Sequence, residues 1–151
     1  MSEIHVAQES PVTDDGHMLI NGSEAVLRAL YTADECFSFT ADELLDDKVS
    51  FFVARKGGQA MGCVALVNEG AYGEVKRLYV PDNARGLGIA KILMAHLETQ
   101  AKAHGFTHVK LETGDKLAAA VALYKTLGYN ICGKFGPYEE DPVSLFMEKA
   151  L

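Results

Sequence analysis

Between Leu78 and Ala90 the chain carries residue types suited to holding an anion. The run Leu78, Tyr79, Val80, Pro81, Asp82, Asn83, Ala84, Arg85, Gly86, Leu87, Gly88, Ile89, Ala90 joins a β-rich segment to a long apolar-periodic one. Its two glycines therefore fall at a predicted helix start. Unpaired backbone N–H groups there, with the positive end of the helix dipole, attract negative charge. Gly86 and Gly88 allow the backbone close to phosphate oxygens with no Cβ in the way, and Arg85 can add a charge-assisted, bidentate donor. The same glycines also fit an ordinary turn before a helix. Two other nucleotide loops fail on residue type. A Walker loop needs G-x-x-x-x-G-K-[ST], which does not occur, and a dinucleotide fingerprint needs a third small residue where Lys91 stands.

Other reactive side chains show no organised spacing. His96 and His104 fall on the predicted long helix, and His5, His17 and His108 are scattered, so none forms a metal pattern. No H-E-x-x-H, G-x-S-x-G or Cys/His nucleophile arrangement is present. Cys36, Cys63 and Cys132 are odd in number, far apart and without C-x-x-C spacing. That fits reduced thiols rather than a disulfide framework or a zinc site, and no metal is expected.

The elements that must position the loop follow from periodicity. Ile4–Ala7 reads as a short first strand. Asp14–Leu45 reads as helical, with Ala25, Leu27, Leu30 and Tyr31 inward, and Thr40-Ala-Asp-Glu43 as a capping box opening a second helix. Ser50–Arg55 and Ala60–Val67 are strands around the hairpin signal Lys56-Gly-Gly-Gln59, and Gly73–Val80 completes an antiparallel meander. Gly86–His104 reads as a long amphipathic helix, with Ile89, Ile92, Leu93, Leu97 and Ala101 repeating. Thr107–Thr113 is a strand, Asp115 an N-cap, and Lys116–Leu127 a helix stopped by Gly128. Tyr129–Cys132 and Ser144–Lys149 close the sheet. The pattern predicts an α/β chain with a mixed sheet, and 151 residues fit one domain, 1–151.

Composition narrows the function class. The chain is 48% hydrophobic and 23% charged, as a soluble globular domain is. A formal net charge of -7 argues against nucleic acid as a partner, which requires clustered Lys and Arg. The first residues lack a basic segment followed by an apolar run, and no stretch reaches about 18 apolar residues, so neither secretion nor a membrane is expected. The expected location is cytoplasmic.

Arg85-x-x-Gly88-x-Ala90 after a strand resembles the Q/R-x-x-G-x-G/A motif of the GCN5-related N-acetyltransferase (GNAT) superfamily. Ala120-x-x-Leu123-Tyr124-x-x-x-Gly128-Tyr129 resembles its second signature, A-x-x-L-Y-x-x-x-G-F/Y. Both occur in the expected order, covering residues 60–132. The tail Phe135-Gly-Pro-Tyr138 with Pro142-x-Ser144-x-Phe146-Met147 is similar to a subgroup of small bacterial members. The resemblance implies a GNAT fold: a mostly antiparallel central sheet, one splayed parallel strand pair and flanking helices.

It further implies transfer of acetyl from acetyl-coenzyme A to a primary amine, small or peptidic, by direct attack in a ternary complex. Leu78, Tyr79 and Val80 would meet the pantetheine arm, with a strand N–H polarising the thioester carbonyl. Arg85, Gly86, Leu87, Gly88, Ile89, Ala90 and Lys91 would hold the pyrophosphate. Tyr124 would protonate the leaving thiolate; read without the family it is more often an ordinary core tyrosine with its hydroxyl satisfied. Glu74 stands where many members carry a catalytic carboxylate, acting directly or through water, and otherwise reads as a solvated strand-end residue. Strand alternation puts Glu74, Lys76 and Leu78 on one face and Val75, Arg77 and Tyr79 on the other unless a bulge intervenes. Tyr31, Phe37, Arg77, Tyr138 and Ser144 are acceptor-side candidates. Leu117 departs from the Asn usual seven residues before the signature tyrosine, which removes a cofactor contact unless Gly114-Asp115-Lys116 replaces it. The alternative function is an acyl-coenzyme A-binding sensor of the same fold. A homodimer paired through the Ser144–Lys149 edge is a further expectation.

Overall fold

The computed structural model describes residues 3–32 and 40–151. Seven strands form one sheet in the order β1-β2-β3-β4-β5-β7-β6. They are β1 Ile4–Gln8, β2 Val49–Lys56, β3 Gln59–Asn68, β4 Gly73–Tyr79, β5 His108–Gly114, β6 Asn130–Cys132 and β7 Ser144–Ala150. Every neighbouring pair is antiparallel except β4 and β5. The helices are α1 Asp14–Leu30, α2 Ala41–Leu44, α3 Ile89–Ala103 and α4 Ala118–Thr126. The mixed sheet, the meander and the splayed parallel pair agree with expectation.

Both faces of the central strands are covered. Phe51, Val53, Cys63 and Ala65 pack with Leu19, Ile20, Ala41 and Leu44 of α1 and α2. Phe52, Ala54, Val64 and Leu66 pack with Ile89, Leu93, Met94 and Leu97 of α3. A strand buried on both sides reads as a continuous apolar run, because successive side chains serve opposite layers. The β2–β3 hairpin turns on Gly57 and Gly58, at φ 58° and 81°, the two-residue loop whose twist suits the flanking strands.

Several boundaries differ from the periodic reading. The helical stretch expected from Asp14 to Leu45 is broken, since Tyr31 takes an extended conformation and ends α1. The buried stripe of α1 is Leu19, Ile20 and Ser23; Ala25 is exposed and Leu30 is 38% exposed, because the 100° step carries them to the far side. Tyr31 is buried as expected. The capping box forms, with Thr40 Oγ1 accepting from Glu43 N at 3.2 Å. α3 begins at Ile89 rather than Gly86, since Gly86 and Gly88 sit at φ 83° and 73°, outside the helical region. Ile92 faces outward, 37% exposed. Asp115 is not an N-cap: α4 begins after Leu117 with no side-chain cap, and Asp115 is held by Tyr31 instead. Nor is Ser144–Lys149 a free edge, since β7 lies between β5 and β6 and is paired by β6 over Phe146–Glu148.

Candidate active site

The parallel pairing of β4 with β5 is short. It joins only Gly73, Glu74 and Val75 to Val109, Lys110 and Leu111. Beyond that point the strands separate and leave a cleft of about 700 Å³. Its walls are β4 from Val75 to its end with Val80 just beyond, the end of β5, the start of α3, the inner side of α4, and Ser23, Val26, Leu27 and Tyr31 from the α1 layer.

A bulge shapes the β4 wall. Ala65 pairs with Lys76, whereas Cys63, two residues earlier, pairs with Tyr79, three residues later, so β4 carries one extra residue. Arg77 occupies the bulge at φ 56°, the positive-φ residue other than glycine among those described. Its guanidinium turns into the α1 layer, where Nη2 stands 2.5 Å from Glu24 Oε2 and Nη1 donates to Ser23 Oγ at 3.2 Å. Cys63 Sγ donates to the Arg77 carbonyl from behind. The alternation expected without a bulge is thus broken where the cleft opens.

At one end, the backbone turns through Gly86 and Gly88 into α3. The first helical bond is Ile92 N to Gly88 O, 3.1 Å, so the amides of Ile89, Ala90 and Lys91 have no carbonyl within the helix. A Cβ built at either glycine meets nothing within 4 Å. Glycine is needed there for the left-handed backbone, and the space beside it is open to a ligand. Gly86, Gly88, Ile89, Ala90 and Lys91 line the cleft, whereas Leu87 points away, 46% exposed. Arg85 lines the cleft mouth with Nε donating to Val80 O at 3.2 Å and Nη1 3.3 Å from Asp82 Oδ1, so it also braces the loop. This backbone cradle and its cation fit a diphosphate.

Farther in lies Tyr124, on α4. Its ring is buried against Tyr129, with centroids 5.8 Å apart. Burial, aided by the Glu112 charge, pushes its hydroxyl well above the usual tyrosine range. It therefore holds its proton throughout the neutral region.

Opposite Tyr124 stands a network of carboxylates. Glu74 is 3% exposed; it accepts from Tyr138 OH at 2.6 Å and pairs with Lys76 Nζ at 3.0 Å. Lys76 Nζ also donates to Tyr138 OH. Burial raises the Glu74 carboxyl, and Lys76 opposes that shift. Glu74 and Tyr138 stand behind Lys76, which itself lines the cleft. Ser144 likewise lies outside the lining and donates to Glu112 Oε2 at 2.8 Å. Glu112 lines the cleft, half-buried, with its carboxyl raised by burial. Neither sequence motif singles it out. Its signal is a lone carboxylate on a strand whose alternate residues Val109, Leu111 and Thr113 are buried; motif reasoning passes over such a residue.

Tyr31 closes the α1 side of the cleft. Its hydroxyl accepts from Lys116 N at 2.6 Å and donates to Asp115 Oδ1 at 3.2 Å, clamping the β5–α4 turn. Leu117, the departure from the usual Asn, lines the cleft, and Lys116 lies beside it. Phe37 lies outside the described residues. Besides the glycine loop, the cleft gathers Leu78, Tyr79, Val80, Arg85, Tyr124, Tyr31 and Arg77 from the residues expected at the site. It does not gather Glu74, Leu87, Tyr138 or Ser144 into its lining.

Comparison with known proteins places this geometry among relatives. Residues 19–129 match the model of the acetyltransferase (GNAT) family. An IAA acetyltransferase of Azospirillum brasilense is 40% identical over 153 residues, covering 100% of both chains. A solved Klebsiella pneumoniae protein, provisionally assigned as an acyl-CoA N-acyltransferase, superposes with a TM-score of 0.85 at 32% identity, over 98% of this chain and 97% of that one. The PaiA N-acetyltransferase of Thermoplasma acidophilum, solved with coenzyme A, shares the fold at a TM-score of 0.76 and 18% identity, over 99% of each chain.

Proposed function

The chain belongs to the acetyltransferase (GNAT) family, and from that premise we propose how its cleft transfers acetyl from acetyl-coenzyme A to a primary amine. The observation that carries the reading is the juxtaposition, in one cleft, of the Gly86–Gly88 helix start with the buried Tyr124. The acyl thioester supplies the activated carbonyl. The amides of Gly86, Gly88, Ile89 and Ala90, with Arg85 and Lys91, bind the diphosphate. The free edge of β4 at Leu78–Val80, opened by the splay, pairs with the pantetheine amides, and an N–H near Leu78 or Tyr79 polarises the carbonyl.

Tyr124 donates to the sulfur as the carbon–sulfur bond breaks. A phenol raised above its ordinary range cannot give its proton permanently to a thiolate whose pKa is about 8.5. It acts as a hydrogen-bond donor and relay, and it recovers a proton from the acylated nitrogen. Glu74, behind Lys76, acts through water or Tyr138 rather than by contact. The shared sheet supports reading 1–151 as one catalytic domain. The same proposal places it in the cytoplasm, supported by the unpaired Cys63 and Cys132. Among the described residues no helix is long and apolar enough to cross a membrane. A homodimer would pair through β1 or β6, the sheet's outer strands, and a monomer mass at micromolar concentration would count against it.

The decisive experiment is calorimetric titration with acetyl-coenzyme A, for the wild type and an Arg85→Ala, Gly88→Trp double variant. Micromolar binding lost in the variant supports the proposed cofactor site and justifies an amine screen by thiol release. A folded wild type that binds no acetyl-coenzyme A sinks the reading. No observation favours a non-catalytic sensor over an enzyme.

A further inference from the structure

Glu112 is the acidic side chain lining the cleft among the described residues, and the family assignment leaves it without a role. We propose that Glu112 receives the acceptor amine as its ammonium ion and takes the proton that must leave before attack. This rests on the acetyl-transfer reading above and deepens it.

Three observations carry the inference. First, the neighbouring charges already cancel in a pair. Glu74 and Lys76 stand 3.0 Å apart, while Glu112 forms no ion pair with any described residue. A cation entering the cleft therefore meets a carboxylate that no ion pair occupies, although the Lys76 charge acts on it from β4. Second, the carboxylate is held for use. Ser144 donates to Oε2 at 2.8 Å, which orients the group and leaves Oε1 for a ligand. Third, Glu112 and Tyr124 line the same cleft, so proton acceptor and proton donor face one reaction space.

The groups around Glu112 come from every adjoining element. They are Glu74 and Lys76 of β4, Tyr124 of α4, Tyr31 after α1, and Asp141 with Ser144 at the β7 entry. Desolvation raises the Glu112 carboxyl above its ordinary value, which suits a group that must take up a proton. In the step, Glu112 takes one proton from the ammonium. The freed nitrogen lone pair then bonds to the acyl carbon, and the carbon–sulfur pair leaves on sulfur. The second nitrogen proton passes to that sulfur by way of Tyr124, and Glu112 returns its own to solvent.

The test uses benzylamine as probe. In turnover, Glu112→Gln should lower kcat/KM at neutral pH by about 10²-fold or more. The loss should shrink as pH approaches the amine's own pKa, because the free base then supplies itself. Glu112→Asp should keep the wild-type profile with a smaller loss. In binding to the protein–coenzyme A complex at neutral pH, Glu112→Gln should weaken benzylammonium at least tenfold. An acid limb unchanged in Glu112→Gln, or abolished instead in Glu74→Gln, overturns the proposal, as does equal amine binding. A wild type that binds benzylammonium through Glu112 yet releases no thiol sinks the acetyl-transfer reading and leaves the ammonium site standing.

Discussion

The hydroxyl of Tyr31 occupies the space where a Cβ on residue 114 would lie. Tyr31 ends α1 and Gly114 ends β5, 83 residues later, so the two meet only in the folded chain. The same hydroxyl clamps Asp115 and Lys116, which sets the turn from β5 into α4 and hence the position of Tyr124.

Gly114→Ala should therefore cost about 1–3 kcal/mol by overpacking, or several degrees in Tm. Thermal melts should show the loss, and acetyl transfer should fall with it as α4 shifts. Full stability in Gly114→Ala would mean that Tyr31 moves aside at no cost.

Arg77 offers a separate test of strain. Its φ of 56° suits glycine better than any residue with a Cβ. Arg77→Gly and Arg77→Ala both remove the Glu24 ion pair, so their difference isolates the backbone. Denaturant titration should find the glycine variant about 1 kcal/mol more stable than the alanine one. The reverse order would show that the bulge relaxes once the guanidinium is gone.

Tyr124→Phe removes one oxygen from a buried ring and leaves the packing with Tyr129 intact. In steady-state assays kcat should drop by about 10²-fold or more with acetyl-coenzyme A affinity unchanged. An unaltered kcat would assign proton delivery to water.

Glu74 and Glu112 both have carboxyls raised by burial. A native state that holds a proton the unfolded chain has lost is favoured at low pH. The stabilising contribution is full below about 4.5 and disappears as pH rises through the raised native value. Glu112→Gln, uncharged throughout, should therefore unfold at higher temperature than the wild type at pH 7, with the gap closing at pH 4. Together with its slower turnover, this would be the trade expected at a working site. A variant less stable than wild type at pH 7 would show that the Ser144 contact outweighs the burial cost.

Much of this protein is legible in its residues alone. The Gly57-Gly58 hairpin, the Thr40 capping box, the glycines before α3 and the tyrosine of the second signature are local features, and local backbone preference decides them. The family and its reaction follow from two such motifs in order. What the sequence left open depends on contacts between distant segments. The alternation of β4 could not reveal where the bulge would fall, because that depends on pairing with Cys63 and Ala65. Nor could it show that Asp115 would be claimed by Tyr31, or that Glu74 would be shielded by Lys76 and Tyr138 while Glu112 opened onto the cleft. Those outcomes were decided when β4 and β5 parted after three paired residues. Which carboxylate faces a void is a property of how strands diverge in space, and no single strand encodes it.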